Sequence, residues 1–329
     1  MAHIIMLMEF NLKQSQLNEL NNHIGHIGYL DSVQFEKLRI QIGINQAMNQ
    51  NIFTDLGKKF DLWDFEFKVF SQWGEDGIIN HILTTLGIAK PNCLEIGIEN
   101  FTECNTRFLA EYRNANLYLV DSSEGARHVI EKSDLKWKSS IEFEQEFVTK
   151  ENVSEIFGRA IKSFETIDLL SLDVDGIDYW LLLELPELDC SLVVLEYNSI
   201  FGAELNVSVP YKDDFQRTRE HYSNQFYGAS LTSCIDLMST RNYSFIGTNR
   251  ANTNAFFVKN IFKQHFSHIV TREIKEYTKA NVRESRDNKG NLTYFTQSQG
   301  LNYMLELEVF DFNSKSLRTL RDLLNAENE

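Results

Sequence analysis

From Pro91 onward the chain alternates short apolar runs with longer amphipathic stretches. Five runs, Cys93–Ile98, Asn116–Val120, Ile141–Val148, Asp168–Val174 and Ser191–Tyr197, have the length and patterning of strands. Glu151–Phe164 (ENVSEIFGRAIKSF) has helical spacing between the third and fourth. This alternation predicts right-handed βαβ units and a mostly parallel sheet, an α/β fold. Near residue 230 a further helix, LTSCIDLMSTRN, precedes two runs, Tyr243–Gly247 and Asn254–Val258, joined by a turn over Asn249–Asn254. These predict an antiparallel hairpin at one edge of the sheet.

Before this region, residues 10–60 contain no proline. They place Leu17, Leu20, Ile24, Ile27, Leu30, Phe35, Leu38 and Ile42 at mixed three- and four-residue spacing. Amphipathic helices follow from that spacing. Residues 1–65 are therefore expected to be an N-terminal helical extension that caps a site or makes a homodimer, residues 66–262 the central domain, and residues 263–329 a polar appendage packed on the core. His23 and His26 share a helix face, but no carboxylates stand at matching spacing, so they read as solvated surface histidines.

Composition narrows the partners. With 47 acidic against 32 basic residues the formal net charge is −15, which argues against nucleic acid or an anionic membrane as the main partner. No window reaches the roughly 18 apolar residues of a membrane span. The opening MAHIIMLMEF has neither a basic leader nor a small-residue cleavage site. Cys93, Cys104, Cys190 and Cys234 form no CxxC pair, so reduced thiols and a cytoplasmic protein are expected.

The chemistry gathers where strands are expected to end. Asp168–Trp180 (DLLSLDVDGIDYW) begins as a buried strand and turns acidic at Asp173, Asp175 and Asp178. Carboxylates at such a place are costly unless something positive meets them. In open α/β sheets, ligands bind outside these strand ends. Glu95 and Gly97 end the first strand, and Gly97 is followed by Ile98-Glu99-Asn100 rather than a glycine-rich phosphate loop. An acidic lining serves a sulfonium better than a pyrophosphate, which favours S-adenosylmethionine (SAM) over a dinucleotide. Asp121 ends the second strand, where an acid can accept from both ribose hydroxyls. Asp173, Asp175, Asp178, Glu196 and Asn198 form an oxygen-rich set suited to Mg²⁺, Ca²⁺ or Mn²⁺ rather than zinc. Without a metal, Asp173 or His221 is the candidate general base, and Arg217 and Arg219 could grip an anionic group on the acceptor.

The succession FSQWGEDGII, CLEIGIEN, LYLVD, DLLSLDVDGIDYW, VVLEYN, FYGASL and NAFFV resembles the FkbM-like class I SAM-dependent methyltransferases, in the bacterial branch with SQxGEDGI and DIDGxDYW blocks. The likeness spans about Phe70 to Val258, and RESRDNKGNLTYF resembles a C-terminal block of that branch. The resemblance implies a doubly wound, Rossmann-like seven-stranded sheet, mostly parallel, with an antiparallel last strand. It implies that Glu95 and Gly97 belong to the cofactor motif and that Asp121 is the ribose acid. It also implies that Ser71, Gln72 and Glu75 border the methionine moiety, and Thr149 the adenine. The expected activity is O-methylation of a sugar hydroxyl or similar polar metabolite in surface glycan synthesis, with a small-molecule or glycan acceptor. Two rivals stand beside it: a metal-dependent glycosyltransferase using the DxD at Asp173 and Asp175, and a non-catalytic module that retains the fold.

Overall fold

The computed structural model describes residues 32–50, 58–279 and 285–326, together with residues 19, 28 and 30. His23, His26 and the apolar positions from Leu17 to Ile27 lie outside the described residues, as does most of the expected dimerisation surface. The chain divides into two compact units, Met1–Gln46 and Ala47–Glu329. Residues 32–50 are helical (α1). The second unit thus begins ahead of the expected position 66. Gln50 belongs to it: its side-chain amide donates to the carbonyls of Phe65 (2.6 Å) and Gly77 (3.0 Å).

The second unit carries, in order, α2 (Glu75–Thr85), β1 (Asn92–Ile96), α3 (Arg107–Arg113), β2 (Asn116–Asp121), α4 (Gly125–Lys132), β3 (Ile141–Gln145), α5 (Val153–Phe164), β4 (Leu169–Leu172), α6 (Asp178–Glu184) and β5 (Leu192–Glu196). There follow β6 (Val207–Ser208), α7 (Arg217–Glu220), α8 (Leu231–Thr240), β7 (Tyr243–Thr248), β8 (Asn254–Lys259), α9 (Gln297–Met304), β9 (Glu308–Asp311), β10 (Ser316–Thr319) and α10 (Leu320–Ala326).

Seven strands form one sheet in the order β3-β2-β1-β4-β5-β8-β7. β1 to β5 are parallel, and β8 runs antiparallel to both β5 and β7. This is the expected doubly wound sheet with its last strand in sequence reversed. The central strands are apolar on both sides because helices cover both faces. Leu94, Ile96, Tyr118 and Val120 enter one core, and Cys93, Leu117 and Leu119 the other.

β1, β3, β4 and β5 are each shorter than the apolar pattern suggests. β1 stops at Ile96 because Gly97 turns to φ +87° while its N–H still reaches the Val120 carbonyl at 2.9 Å. β3 stops at Gln145, and Val148 continues beyond it as irregular backbone. The appendage contributes two strands of a second sheet, order β10-β9-β6, that the hydrophobic pattern does not announce. Phe310 and Phe312 from this sheet pack on Trp180 and Tyr179 at ring-centroid distances of 4.5–5.8 Å.

On α2, His81 stacks on Phe65 at 3.5 Å between centroids and its Nε2 lies 3.1 Å from Nε2 of His268. Burial, with His268 alongside, pushes the His81 pKa down to about 3. A histidine held neutral in this way contributes stability that is complete above its unfolded pKa of about 6.5 and is lost as pH falls from there toward 3. Substituting His81→Phe removes that linkage. The stability of the native protein relative to this variant, measured by urea unfolding, is expected to fall by about 1.4 kcal/mol per pH unit below pH ~6.

Candidate functional site

A cavity of about 320 Å³ opens over the carboxyl ends of the parallel strands, centred where β1 and β4 lie side by side and the chain reverses its direction of winding. Its size falls at the lower end of the range of about 300–1,000 Å³ typical of small-molecule sites.

Gly97 lies at this junction for a steric reason. A Cβ there would lie 1.6 Å from the Asp173 carbonyl oxygen. The ends of β1 and β4 therefore meet backbone to backbone, and only glycine accommodates both that approach and the positive φ. One strand away, Asp121 Oδ2 accepts from the backbone N–H groups of Ile98 (2.9 Å) and Glu99 (2.7 Å), and Oδ1 from that of Ser123 (2.7 Å). The glycine-poor loop after β1 is wrapped around this carboxylate. A carboxylate has about four acceptor positions, so room for one more donor remains at the cavity wall.

Glu95 is buried, and its carboxylate accepts from the N–H groups of Asn105 (2.6 Å) and Thr106 (3.0 Å) and from the Thr106 hydroxyl at the start of α3. Burial outweighs these hydrogen bonds and raises its pKa to about 7. Gln72 lines the cavity, whereas Ser71 and Glu75 do not. The N-cap of α2 is Gly74 rather than Ser71. Ser71 instead gives its N–H (2.8 Å) and hydroxyl (2.9 Å) to the buried Asp76 carboxylate, which also accepts from Val69 and Phe70. Glu75 accepts from Trp73 N–H (2.8 Å) and from the side-chain amides of Asn249 and Asn254 (3.0 Å). Past β3, Phe147 and Val148 line the cavity, while Thr149 sits just outside, its N–H on Asn152 Oδ1 at 2.7 Å.

The ends of β4 and β5 hold the acids. Carboxylate oxygens of Asp173, Asp178 and Glu196 lie within 4.8 Å of one another. Asp178 closes the loop before α6, accepting from Val174 N–H (2.7 Å) and Gly176 N–H (3.0 Å), and burial raises its pKa to about 7. Burial, then the charges of Asp175 and Asp178, pushes Asp173 far above the ordinary carboxylate range. Burial and then the Asp173 charge do the same to Glu196. Asp175 points outward to Arg217 Nη1 at 3.0 Å, with its side chain 62% exposed. Asn198 is consumed in structure: its amide donates to the Gln225 and Tyr227 carbonyls (2.9 Å each) and its oxygen accepts from Ile200 N–H (3.1 Å).

The segment 211–228 forms the outer wall. Phe215 packs on Gly176, where a Cβ would meet its ring at 2.1 Å. Arg217 lies 4.1 Å over the Tyr227 ring, donates to the Asn224 carbonyl at 2.7 Å and reaches the cavity. Arg219 and His221 do not line it; His221 Nδ1 is engaged with the Ser223 hydroxyl at 2.7 Å.

The cavity thus brings together Gln72, Glu95, Gly97, Asp121, Asp173, Asp175 and Glu196 of the expected residues. It leaves Ser71, Glu75, Thr149, Asp178, Asn198 and His221 off its wall. Sequence reasoning missed Asn254, buried at the start of β8, directly opposite Glu196 and lining the same cavity. A signal existed, since pairing NAFFV against LVVLE head to tail places these two residues side by side.

No protein-family model and no curated protein matches the chain. Among solved structures it is similar to a Klebsiella pneumoniae protein described as an O-methyltransferase (11% identity, covering 67% of this chain and 90% of that one, TM-score 0.34). It is also similar to the Burkholderia thailandensis 1,6-didemethyltoxoflavin-N1-methyltransferase with bound S-adenosylhomocysteine (11% identity, 68% and 87% covered, TM-score 0.33). A third likeness is to an O-methyltransferase family 2 protein of Planctomyces limnophilus in complex with apigenin (12% identity, 51% and 50% covered, TM-score 0.31). The chain spans half the length of this last protein.

Because the Cβ of any residue at position 97 would overlap the Asp173 carbonyl, Gly97→Ala is expected to cost on the order of 3 kcal/mol. A clear drop in melting temperature would register this, and an unchanged one would contradict the close approach.

Proposed function

We propose that this chain is a SAM-dependent O-methyltransferase whose acceptor is a sugar hydroxyl or similar polar metabolite, in surface glycan synthesis. The observation that carries the SAM reading is the position of Asp121. It stands at the end of β2, one strand from the Gly97 crossing, in the wall of a cavity rimmed by carboxylates. That is where a doubly wound sheet receives a ribose, and the acidic rim suits a cationic nucleoside rather than a pyrophosphate. Phe147 and Val148 offer an apolar wall beyond β3 for an adenine, and Gln72 borders the side toward α2.

When bound, SAM would supply a methyl carbon activated by its sulfonium, to which the acceptor oxygen would bond in line as the carbon–sulfur bond breaks and S-adenosylhomocysteine leaves. The chain's part is to align that oxygen, exclude water and take up its proton. Asp173 is the residue placed for this, at the end of β4 beside the crossing. Burial favours proton uptake by the Asp173–Glu196 pair, since two neighbouring carboxyls in a shielded site resist being ionised together. His221, engaged with Ser223 away from the cavity wall, is the weaker candidate base. A divalent cation is the alternative to this base: bound by Asp173 and Glu196, with the Asp178 carboxylate beside them, it would hold neighbouring hydroxyls and acidify one, the carboxylates then serving as ionised ligands.

Isothermal titration with S-adenosylhomocysteine tests the donor site. Tight binding is expected, weakened about tenfold or more in Asp121→Ala through loss of a charge-assisted hydrogen bond. Absence of binding by the native protein, together with binding of a uridine diphosphate sugar, would end this reading.

A further inference from the structure

Two acceptor atoms in the cavity wall stand out because nothing donates to them. Glu196 Oε2 and Asn254 Oδ1 are buried and receive no hydrogen bond. Their residues are 7% and 4% exposed, and they face each other across the β5–β8 pair. Buried oxygens of this kind are normally satisfied by a donor. The arrangement is not an accident of amide orientation. Glu75 accepts the Asn254 side-chain N–H₂ at 3.0 Å, and a carboxylate offers no donor, so the amide nitrogen faces Glu75 and the oxygen is the end left without a donor, on a residue that lines the cavity.

We propose that Asn254 is a ligand of a divalent-cation site completed by Asp173 and Glu196, and that Glu75 is the positioning residue that aims its oxygen. The inference rests on the cation reading given above and names a ligand and a supporting residue that reading lacks. Asp173, Glu196 and Asn254 stand at the same edge of β4, β5 and β8, three consecutive strands spaced about 4.8 Å apart. Two carboxylates and an amide oxygen are the hard ligands that Mg²⁺ and Mn²⁺ take, with water filling the remaining positions. The cation half of the cavity thus lies over β4, β5 and β8, and the donor half over β3, β2 and β1. Asn198 has no spare capacity for this role and Asp175 is turned to Arg217.

Glu75 reaches the site only through Asn254. In Glu75→Leu nothing accepts from the Asn254 amide, whose nitrogen is no longer held on Glu75. The amide is then able to turn and place its N–H₂, which repels a cation, in the cavity. Outer partners of metal ligands typically govern affinity by about 10- to 100-fold.

The test is Mn²⁺ titration of chelator-treated protein, read by loss of the free-ion electron paramagnetic resonance signal. S-adenosylhomocysteine affinity and melting temperature are measured on the same samples. One equivalent of Mn²⁺ is expected to bind the native protein, and about tenfold or more weaker binding is expected in both Asn254→Leu and Glu75→Leu with nucleoside affinity retained. Native binding that both variants leave unchanged would overturn the role of Asn254 and Glu75 while sparing the cation. Loss of nucleoside and Mn²⁺ binding together would mark a merely structural role and overturn it too. No Mn²⁺ binding by the native protein would remove the cation and this inference together, leaving the donor site to be judged by its own titration.

Discussion

Buried carboxylates at the strand ends are the constraint to which the rest of this fold answers. Asp76, Glu95 and Asp178 are each enclosed, and each is met by backbone N–H groups of a neighbouring turn. These bonds are structural in effect: one shapes the segment before α2, one starts α3 and one closes the loop into α6. Asp121 gathers the loop after β1 in the same way at the cavity wall. The cavity is therefore framed by loops that are folded around acids. Its shape does not depend on a ligand to organise the first turns.

Against that background the Asp173–Glu196 pair differs in kind. No backbone donor reaches Glu196 Oε2, and the neighbouring Asn254 oxygen is equally bare. Arg217 supplies positive charge nearby, but its hydrogen bonds go to Asp175 and the Asn224 carbonyl, at the outer rim. The wall of one cavity thus carries hydrogen-bonded acids on β1 and β2 and oxygens without a donor on β5 and β8.

Much of this was legible in the chain. Apolar runs covered on both faces report β1, β2, β4 and β5 clearly, and the turn at Asn249–Asn254 announces the hairpin. Gly97 and Asp121 could be placed because glycine and acid at strand ends have few other uses. The small sheet of β6, β9 and β10 was not legible. Its strands are two to four residues long, and they gain their order from Phe310 and Phe312 packing on Trp180. Side-chain direction was the other gap. Ser71, Thr149 and Asn198 sit close in sequence to cavity residues, yet each spends its polar atoms on a local turn or a neighbouring carbonyl. Proximity along the chain cannot distinguish such a group from one facing a ligand.

The reversal of β8 has one further effect. In a strand parallel to the others, the residue beside Glu196 would come last, after the strand had been committed by everything before it. Here it comes first, straight out of the turn from β7, whose ladder carries a bulge between Phe245 and Gly247. Changes of length or sequence in that turn can therefore retune the floor of the cavity while leaving the buried body of the sheet intact, giving the fold a local adjuster for which molecules it admits.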